Sequence, residues 1–257
     1  MPVSTRNGLR IHYEVCGSGP PMVFVHANPF DHRLWLYQLA SFSDTNRVVA
    51  VDLRGYGRSD KPTSPFTLLD MAYDVLGVCA DEGITRAPFL GVSVGSGISM
   101  LIALEQPSIV SQLVLVGGSS RGAPSMQARI EGFLSSEMRN YHLQHLHDCV
   151  SKEFAASPRG QWLLQMFAQR SDELSGACIA NIFRARLSCD MTDRLAEVRA
   201  PAMVINGEHD MSMKAGLLTA ELLPNAVHRV IPGAGHACNI ERPEIFYAFV
   251  REILPLN

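Results

Sequence analysis

The sequence has no long apolar segment and little charge. None of its apolar runs approaches the roughly 18 residues that a membrane-spanning helix needs, and the first eight residues contain no apolar core of a secretory signal. We therefore predict a cytoplasmic protein that does not bind membranes, the alternative being a secreted chain whose signal has been removed. Charged residues make up 18% of the 257 residues, where about 25% is usual. This low fraction indicates that some region besides the core is also apolar.

The sequence also lacks an excess of basic residues and any closely spaced cysteine pair. Lys and Arg number 22 against 25 Asp and Glu, and this net charge of −3 gives no electrostatic reason to expect nucleic acid as a partner. The six cysteines form no C-x-x-C pair. In a chain of this length they are typical of free thiols in a reducing compartment, rather than of a disulfide framework or a zinc site.

Short apolar runs alternate with segments of helical period. Residues 9–15 alternate with period two, whereas runs such as 89–92, 113–116 and 227–231 are mostly continuous in apolar residues, as strands buried on both faces are. Between these runs, apolar residues recur at spacings of three and four, for example over 68–79. This alternation predicts an α/β fold with a doubly wound parallel sheet.

One section interrupts the alternation. From residue 119 to residue 197 there is no strand-like run, and the pattern is helical over 126–138, 141–155, 161–169 and 175–187. A connection between strands is normally about 2 to 6 residues long. We therefore predict a core of residues 1–118 and 198–257, with a helical lid (cap) inserted over 119–197.

A serine pattern follows one of the buried runs. Gly91-Val-Ser-Val-Gly95 fits G-x-S-x-G and lies between a predicted strand and a predicted helix. A serine on so sharp a turn has an exposed Oγ, and a side chain two residues before or after it would clash across the turn. The following helix also points its positive end at the site, which favours a developing anion. Ser93 is thus a candidate nucleophile.

A serine nucleophile needs a base and an acid that orients the base. Asp210 follows the predicted strand at 203–205, and His236 lies in a glycine-rich loop after the run at 227–231. Taken alone, each is more often a helix cap or a turn residue. All three residues falling in order at strand ends predicts a catalytic triad of Ser93, His236 and Asp210.

The chain resembles the α/β-hydrolase fold family over essentially its whole length. Residues 26–35 (HANPFDHRLW) resemble the family's H-G-x-P…W oxyanion loop, and 52–59 (DLRGYGRS) resemble its D-x-R-G-x-G-x-S segment. The order serine, aspartate, histidine is also that of the family. The resemblance implies a mostly parallel eight-stranded sheet flanked by helices, a triad of Ser93, Asp210 and His236, and an oxyanion hole formed by the backbone N–H groups of Asn28 and Val94.

Two departures from the family pattern lie at the site. The usual H-G is His26-Ala27 here, where a positive φ would cost Ala27 about 1 kcal/mol, so we expect the loop to lie slightly differently. Ser96 replaces the second glycine of S-x-G-G. Family members with dehalogenase or epoxide hydrolase activity have an aspartate where this chain has Ser93, so the resemblance does not extend to those activities. Asp52 is expected to brace the loop that begins at Arg54.

Other sites are disfavoured, and no cofactor is expected. Gly55-Tyr-Gly57 lacks the third glycine of a dinucleotide fingerprint. His142, His145 and His147 lie together, but on a helix 142 and 145 alone share a face, and two imidazoles are too few for zinc. We therefore predict no metal there and a polar face of the lid instead.

Large apolar side chains are frequent in the predicted lid. Most pack the lid itself, and we expect some, including Phe133, Trp162 and Phe167, to line a pocket for a small-molecule substrate that is mid-sized and partly apolar. The predicted activity is hydrolysis of a carboxylic ester or lactone. The alternatives are hydrolysis of a C–C bond beside a ketone, a haloperoxidase-like activity, and a ligand receptor that retains the triad. A monomer or a homodimer is expected.

Overall fold

The computed structural model describes residues 2–254, and these form an eight-stranded sheet in the order β1-β2-β4-β3-β5-β6-β7-β8. Strands β3 to β8 are parallel, and β1 and β2 run antiparallel at one edge. The strands are β1 (Val3–Arg6), β2 (Leu9–Cys16), β3 (Pro21–Val25), β4 (Arg47–Val51), β5 (Ala87–Val92), β6 (Val110–Val116), β7 (Ala202–Gly207) and β8 (Ala226–Ile231).

Both faces of the central strands are buried. In β3, Met22 and Phe24 pack into the core on one face, while Val23 and Val25 pack into the core on the other. Successive side chains of a strand point to opposite faces, so a strand covered on both sides has to be apolar at every position. This explains why the continuous apolar runs of the sequence predict the central strands.

The two ends of the sheet differ from the sequence predictions. Strand β1 was not predicted, because Ser4 is its one buried residue and no apolar run marks it. Strand β8 was predicted to be buried on both faces, and this is wrong. It is the strand at the opposite edge of the sheet, where it pairs with β7 on one side. Its side chains Val227 and Val230 are 43% and 40% exposed.

Helices cover both faces of the sheet. Thr67 and Asp70 form a reciprocal capping box at the start of α2, and α3 begins directly after β5. None of the helices described is both long and apolar enough to cross a bilayer. The helices are α1 (Leu36–Phe42), α2 (Leu68–Asp81), α3 (Val94–Glu105), α4 (Met126–Leu134), α5 (Met138–Asp148), α6 (Lys152–Ala156), α7 (Pro158–Ala168), α8 (Gly176–Leu187), α9 (Met213–Leu222), α10 (Cys238–Glu241) and α11 (Pro243–Ile253).

Helices α4 to α8 follow one another between β6 and β7, where the sequence predicts the insertion. Arg121 and Asp190 form an isolated antiparallel bridge, so the two ends of this helical segment leave the sheet side by side. The division into a core of 1–118 and 198–257 and a lid of 119–197 stays a prediction. Residues 1 and 255–257 of the predicted core lie outside the described residues.

Candidate active site

Ser93 occupies the turn between β5 and α3. Its φ of 55° and ψ of −111° lie outside the regions that non-glycine residues favour. Two backbone hydrogen bonds hold the turn: the Ser93 N–H donates to the carbonyl of Val116 (2.7 Å), and the Gly97 N–H donates to the carbonyl of Ser93 (3.1 Å). The side chain is half-buried. The strand-to-helix turn that the sequence predicts is therefore present.

The two glycines of the motif allow this turn to close. A Cβ on Gly91 would overlap the backbone of Gly95, and a Cβ on Gly95 would overlap the carbonyl oxygens of Val25 and His26. These contacts are with backbone atoms, which have little room to give way. The glycines therefore let α3 begin against the end of β3, beside the loop that carries Asn28.

His236 and Asp210 are hydrogen bonded to each other beyond the ends of β8 and β7. The His236 Nδ1 donates to Asp210 Oδ1 at 2.8 Å. Asp210 also accepts from the N–H and the hydroxyl of Ser212 (2.8 Å each) and from the side-chain amide of Asn206 (2.8 Å). Four donors from three residues therefore hold the carboxylate in place.

The pKa values of this pair move in opposite directions. Burial favours the neutral form of Asp210, but the His236 charge and the donors of Ser212 and Asn206 outweigh it and lower its pKa to about 2. Burial lowers the pKa of His236, but Asp210 outweighs this and raises it above the ordinary value. Because Asp210 is an acceptor, the neutral His236 carries its proton on Nδ1 and leaves Nε2 free to take a proton.

Gly117 connects this pair to Ser93. It directly follows Val116, whose carbonyl accepts from the Ser93 N–H. Gly117 has a φ of +55°, and a Cβ there would overlap the imidazole ring of His236. The ring therefore lies against the end of β6, one residue from the bond that anchors Ser93. The structure thus brings the three predicted triad residues to one edge of the sheet.

A buried glutamate that the sequence reasoning missed holds the His236 loop. Glu241 accepts from the N–H of Gly235 (2.8 Å), and from the N–H (3.0 Å) and the hydroxyl (2.5 Å) of Ser151. Burial raises the pKa of Glu241 in spite of these donors. Ser151 belongs to the helical segment, so Glu241 joins that segment to the loop. No sequence signal marks this residue, because an acidic side chain in a helix is ordinarily exposed.

The predicted oxyanion loop is also joined to the helical segment. His142 of α5 donates through Nε2 to the carbonyl of Pro29 (3.0 Å), and the Ala237 N–H donates to the carbonyl of Cys149 (2.7 Å). The helical segment thus contacts both loops that flank Ser93. His142 and His145 are buried, so the prediction that they form a polar face is wrong for these two residues.

The assignment of the Asn28 and Val94 N–H groups to an oxyanion hole stays a prediction. Val94 is the first residue of α3, and Asn28 is in the loop after β3. Ala27 does not have a positive φ, since Asn7 and Ser93 are the non-glycine residues that do among those described. The strain that the sequence suggests for Ala27 is therefore absent.

His26 and Asp52 support this loop. His26 donates through Nδ1 to the carbonyl of Ala27 (2.9 Å) and accepts from the Leu53 N–H at Nε2 (2.9 Å), and burial lowers its pKa. Asp52 accepts from the N–H of Arg58 (3.0 Å) and from the N–H of His32 (2.9 Å). Asp52 thus braces the loop that follows β4, as expected, and also the segment that follows Asn28.

The three predicted pocket residues have different surroundings. Phe133 is buried and stacks on Phe183 (ring centroids 5.9 Å apart), and Phe167 is buried against Phe30 (4.8 Å) of the predicted oxyanion loop. Trp162 is 62% exposed on α7. The structure therefore does not bring Trp162 together with Ser93, because the opposite face of α7 is the one that packs inward.

Comparisons with known proteins are consistent with this architecture. A family model described as the alpha/beta hydrolase fold matches residues 20–243. The solved structure of an enol-lactonase from Burkholderia xenovorans superposes with a TM-score of 0.91 at 25% identity, covering 98% of this chain and 99% of that one.

Two relatives are hydrolases. The chain is 25% identical to 3-oxoadipate enol-lactonase 1 of Acinetobacter baylyi, over 98% of this chain and 97% of the relative. It is 31% identical to a 2-hydroxy-6-oxononadienedioate/2-hydroxy-6-oxononatrienedioate hydrolase of Burkholderia vietnamiensis, over 96% of this chain and 91% of the relative.

Proposed function

The chain belongs to the alpha/beta hydrolase family and is a hydrolase, and we propose that it cleaves a carboxylic ester or a lactone through an acyl-enzyme on Ser93. The observation that carries the proposal is the hydrogen bond of 2.8 Å between His236 and Asp210, next to a serine on a strained turn. Its similarity to enol-lactonases supports the lactone as a substrate class.

In this mechanism His236 Nε2 takes the proton of the Ser93 hydroxyl while Oγ attacks the carbonyl carbon. Asp210 holds the imidazole in the required tautomer and stabilises its charge. The negative oxygen that forms is bound by the N–H groups of Val94 and Asn28, which are together worth several kcal/mol. His236 then protonates the leaving oxygen, and a water molecule, activated by the same histidine, releases the acid from Ser93.

The helical segment 119–197 acts in this proposal as a lid over Ser93. Its contacts with Pro29 and Ala237 support such a position, because these residues lie in the two loops on either side of the serine. In this proposal Phe167, which packs on Phe30 beside Pro29, supplies apolar surface under the lid for a mid-sized, partly apolar acyl or ring substrate. Trp162 is not included in this pocket.

A second candidate is hydrolysis of a C–C bond beside a ketone. The relative from Burkholderia vietnamiensis favours it, since this chain is 31% identical to that protein over nearly its whole length. The same serine, histidine and aspartate can serve either reaction. The two candidates are therefore distinguished by which substrates the enzyme turns over.

A turnover panel tests the proposal. The panel contains aryl esters of increasing acyl length, enol lactones and vinylogous diketones, with Ser93→Ala as the control. Turnover of esters or lactones that Ser93→Ala abolishes supports the proposal, whereas turnover of the diketones alone favours the second candidate. A receptor that retains the triad would react once or very slowly with every compound.

Labelling tests the nucleophile separately. We expect a fluorophosphonate to modify Ser93, as judged by intact mass and peptide mapping. An unmodified Ser93 in active protein would overturn the assignment.

A further inference from the structure

The edge strand β8 is unprotected on its outer side. Within residues 2–254 it pairs with β7 alone, and no bulge interrupts that pairing. Its sequence AVHRVI contains no proline, lysine or acidic residue. Natural proteins usually protect an edge strand with such features, because an unprotected edge is a template for another strand. The other edge strand, β1, is only four residues long, so β8 is the better candidate for an interaction surface.

Alternate residues of β8 direct their backbone groups away from the sheet. The carbonyls of Asn225 and Ile231 accept from N–H groups at the two ends of the β7 segment (2.9 Å each). The N–H and C=O groups of successive residues point to opposite sides of a strand, so the odd-numbered residues face β7. The residues that face outward are Ala226, His228 and Val230.

The side chains of this edge are apolar or paired in charge. Val227 and Val230 are exposed on opposite faces of the strand. Arg229 forms an ion pair with Glu252 of α11 at 2.8 Å, so this pair adds no net charge to the edge. Arg229 Nη1 also lies 3.4 Å from the carbonyl of His228, a long contact that the N–H of another strand can replace.

We propose that β8 pairs with β8 of a second copy of this chain, antiparallel across a two-fold axis. With His228 opposite its own copy, Ala226 lies opposite Val230 of the second copy. Each of these pairs exchanges two backbone hydrogen bonds. This register pairs all three outward residues on both strands, and shifting it leaves at least one of them unpaired. The outer side of β8 is therefore complementary to itself.

The side chains also fit self-pairing. In this register Val227 lies opposite Arg229 of the second copy, whose aliphatic stem can cover it. His228 is the one residue that meets its own kind. Its Nε2 donates to Asn206 Oδ1 (2.9 Å), and burial lowers its pKa, so the two rings are neutral at pH 7. No like charges then lie directly opposite each other, which favours a second copy as the partner.

The helices beside β8 add to the contact area. A stable interface buries about 1,200–2,000 Å² in total, more than the pairing of two six-residue strands supplies. Helix α9 packs on β8 and exposes Leu217 and Leu218, and α11 packs on the same strand and carries Glu252. In the proposed dimer the surfaces of these two helices next to the axis supply the remaining area.

The mass of the protein in solution tests the proposal. At about 100 μM, where a Kd of about 1 μM leaves the dimer dominant, light scattering should give twice the mass of one chain. Val230→Lys places a charge on the outer edge and should give the mass of one chain. Val3→Lys, the same change on the opposite edge strand β1, should remain a dimer. Circular dichroism and urea unfolding show that each variant folds.

A disulfide tests the register. Residues opposite each other in a hydrogen-bonded pair have Cα atoms about 5.5 Å apart, within the range of a disulfide. On a Cys16→Ser background, which removes the exposed cysteine, His228→Cys should form a crosslinked dimer on mild oxidation. Ala226→Cys should not, because the two copies of residue 226 lie roughly 13 Å apart along the strands.

Three results would overturn the proposal. They are a single-chain mass for the parent protein at about 100 μM, a dimer that Val230→Lys leaves intact, and crosslinking of Ala226→Cys that equals that of His228→Cys.

Discussion

Replacement of Asp210 by asparagine tests the proposed triad most sharply, because it keeps the size of the side chain and removes its charge. Oδ1 accepts from His236 and Ser212, and Oδ2 accepts from Asn206. An asparagine has one acceptor oxygen, so in either orientation its amide group faces a donor. With the amide toward His236, the imidazole carries its proton on Nε2 and is unable to take one from Ser93.

The structure gives an order of magnitude for the electrostatic part of the effect. A pKa of about 2 for Asp210, against an ordinary value of 3.8, corresponds to about 2 kcal/mol of stabilisation of its charged form. The His236 charge is the largest of the contributions that lower this pKa, so part of this free energy stabilises the imidazolium that forms in the reaction. Its loss costs up to about 30-fold in rate, and the wrong tautomer raises the total loss to as much as about 10⁴-fold.

The assay is kcat/KM as a function of pH, with the best substrate from the panel. Because His236 has to be neutral to act as a base, activity in the parent enzyme should rise through a pKa above the ordinary 6.5 of histidine. In Asp210→Asn the charge that raises this pKa is gone, while burial and the charge of Arg129 still lower it. The acidic limb should therefore move to lower pH as the rate falls.

Two comparisons make this result decisive. Asp193→Asn, which changes an exposed aspartate, should behave as the parent enzyme does. Unfolding curves in urea show whether Asp210→Asn remains folded. A parent-like rate, or a large rate loss with an unmoved acidic limb in the folded variant, would show that Asp210 does not act on His236.

Substitutions at three other positions test the remaining parts of the site. His236→Ala should lose nearly all turnover with an unchanged circular dichroism spectrum, and retained activity would mean that another group is the base. Gly95→Ala should reduce the free energy of unfolding by about 1–3 kcal/mol or more, since its Cβ overlaps the carbonyl of Val25; an unchanged urea midpoint would contradict this packing. Glu241→Ala should lose about 1–3 kcal/mol for each buried donor left unpaired, whereas Glu241→Gln keeps an acceptor for the N–H groups of Gly235 and Ser151 and should lose less. Equal losses in urea unfolding would show that these bonds contribute little.

The central parallel strands were predicted most fully from the sequence, because their burial is uniform. The run 113–116 predicts β6 because every side chain of that segment is buried between two layers. β1 and β8 depart from the predictions because they are edge strands, and the exposure of Val227 depends on which strands lie beside it. Burial at an edge is a property of the completed sheet, so a local pattern does not specify it.

The candidate site shows the same division. Ser93 is recognisable because its turn imposes glycines at 91 and 95, and such a constraint acts within five residues. Glu241 acts on residues 6 and 90 positions away in the chain, and no local rule marks that kind of contact. Trp162 was assigned to the pocket by its type alone, and the orientation of α7 placed it in solvent instead.

The sequence by itself determined the α/β alternation, the position of the serine turn, and the order of the serine, aspartate and histidine. These features depend on period, turn geometry and strand ends, which are local. Only the tertiary structure decided that Asp210 lies 2.8 Å from His236, and that Glu241 accepts from the N–H groups of Gly235 and Ser151. Distances between residues far apart in the chain arise from sheet pairing and loop packing. The spacing of residues along the chain specifies neither of these.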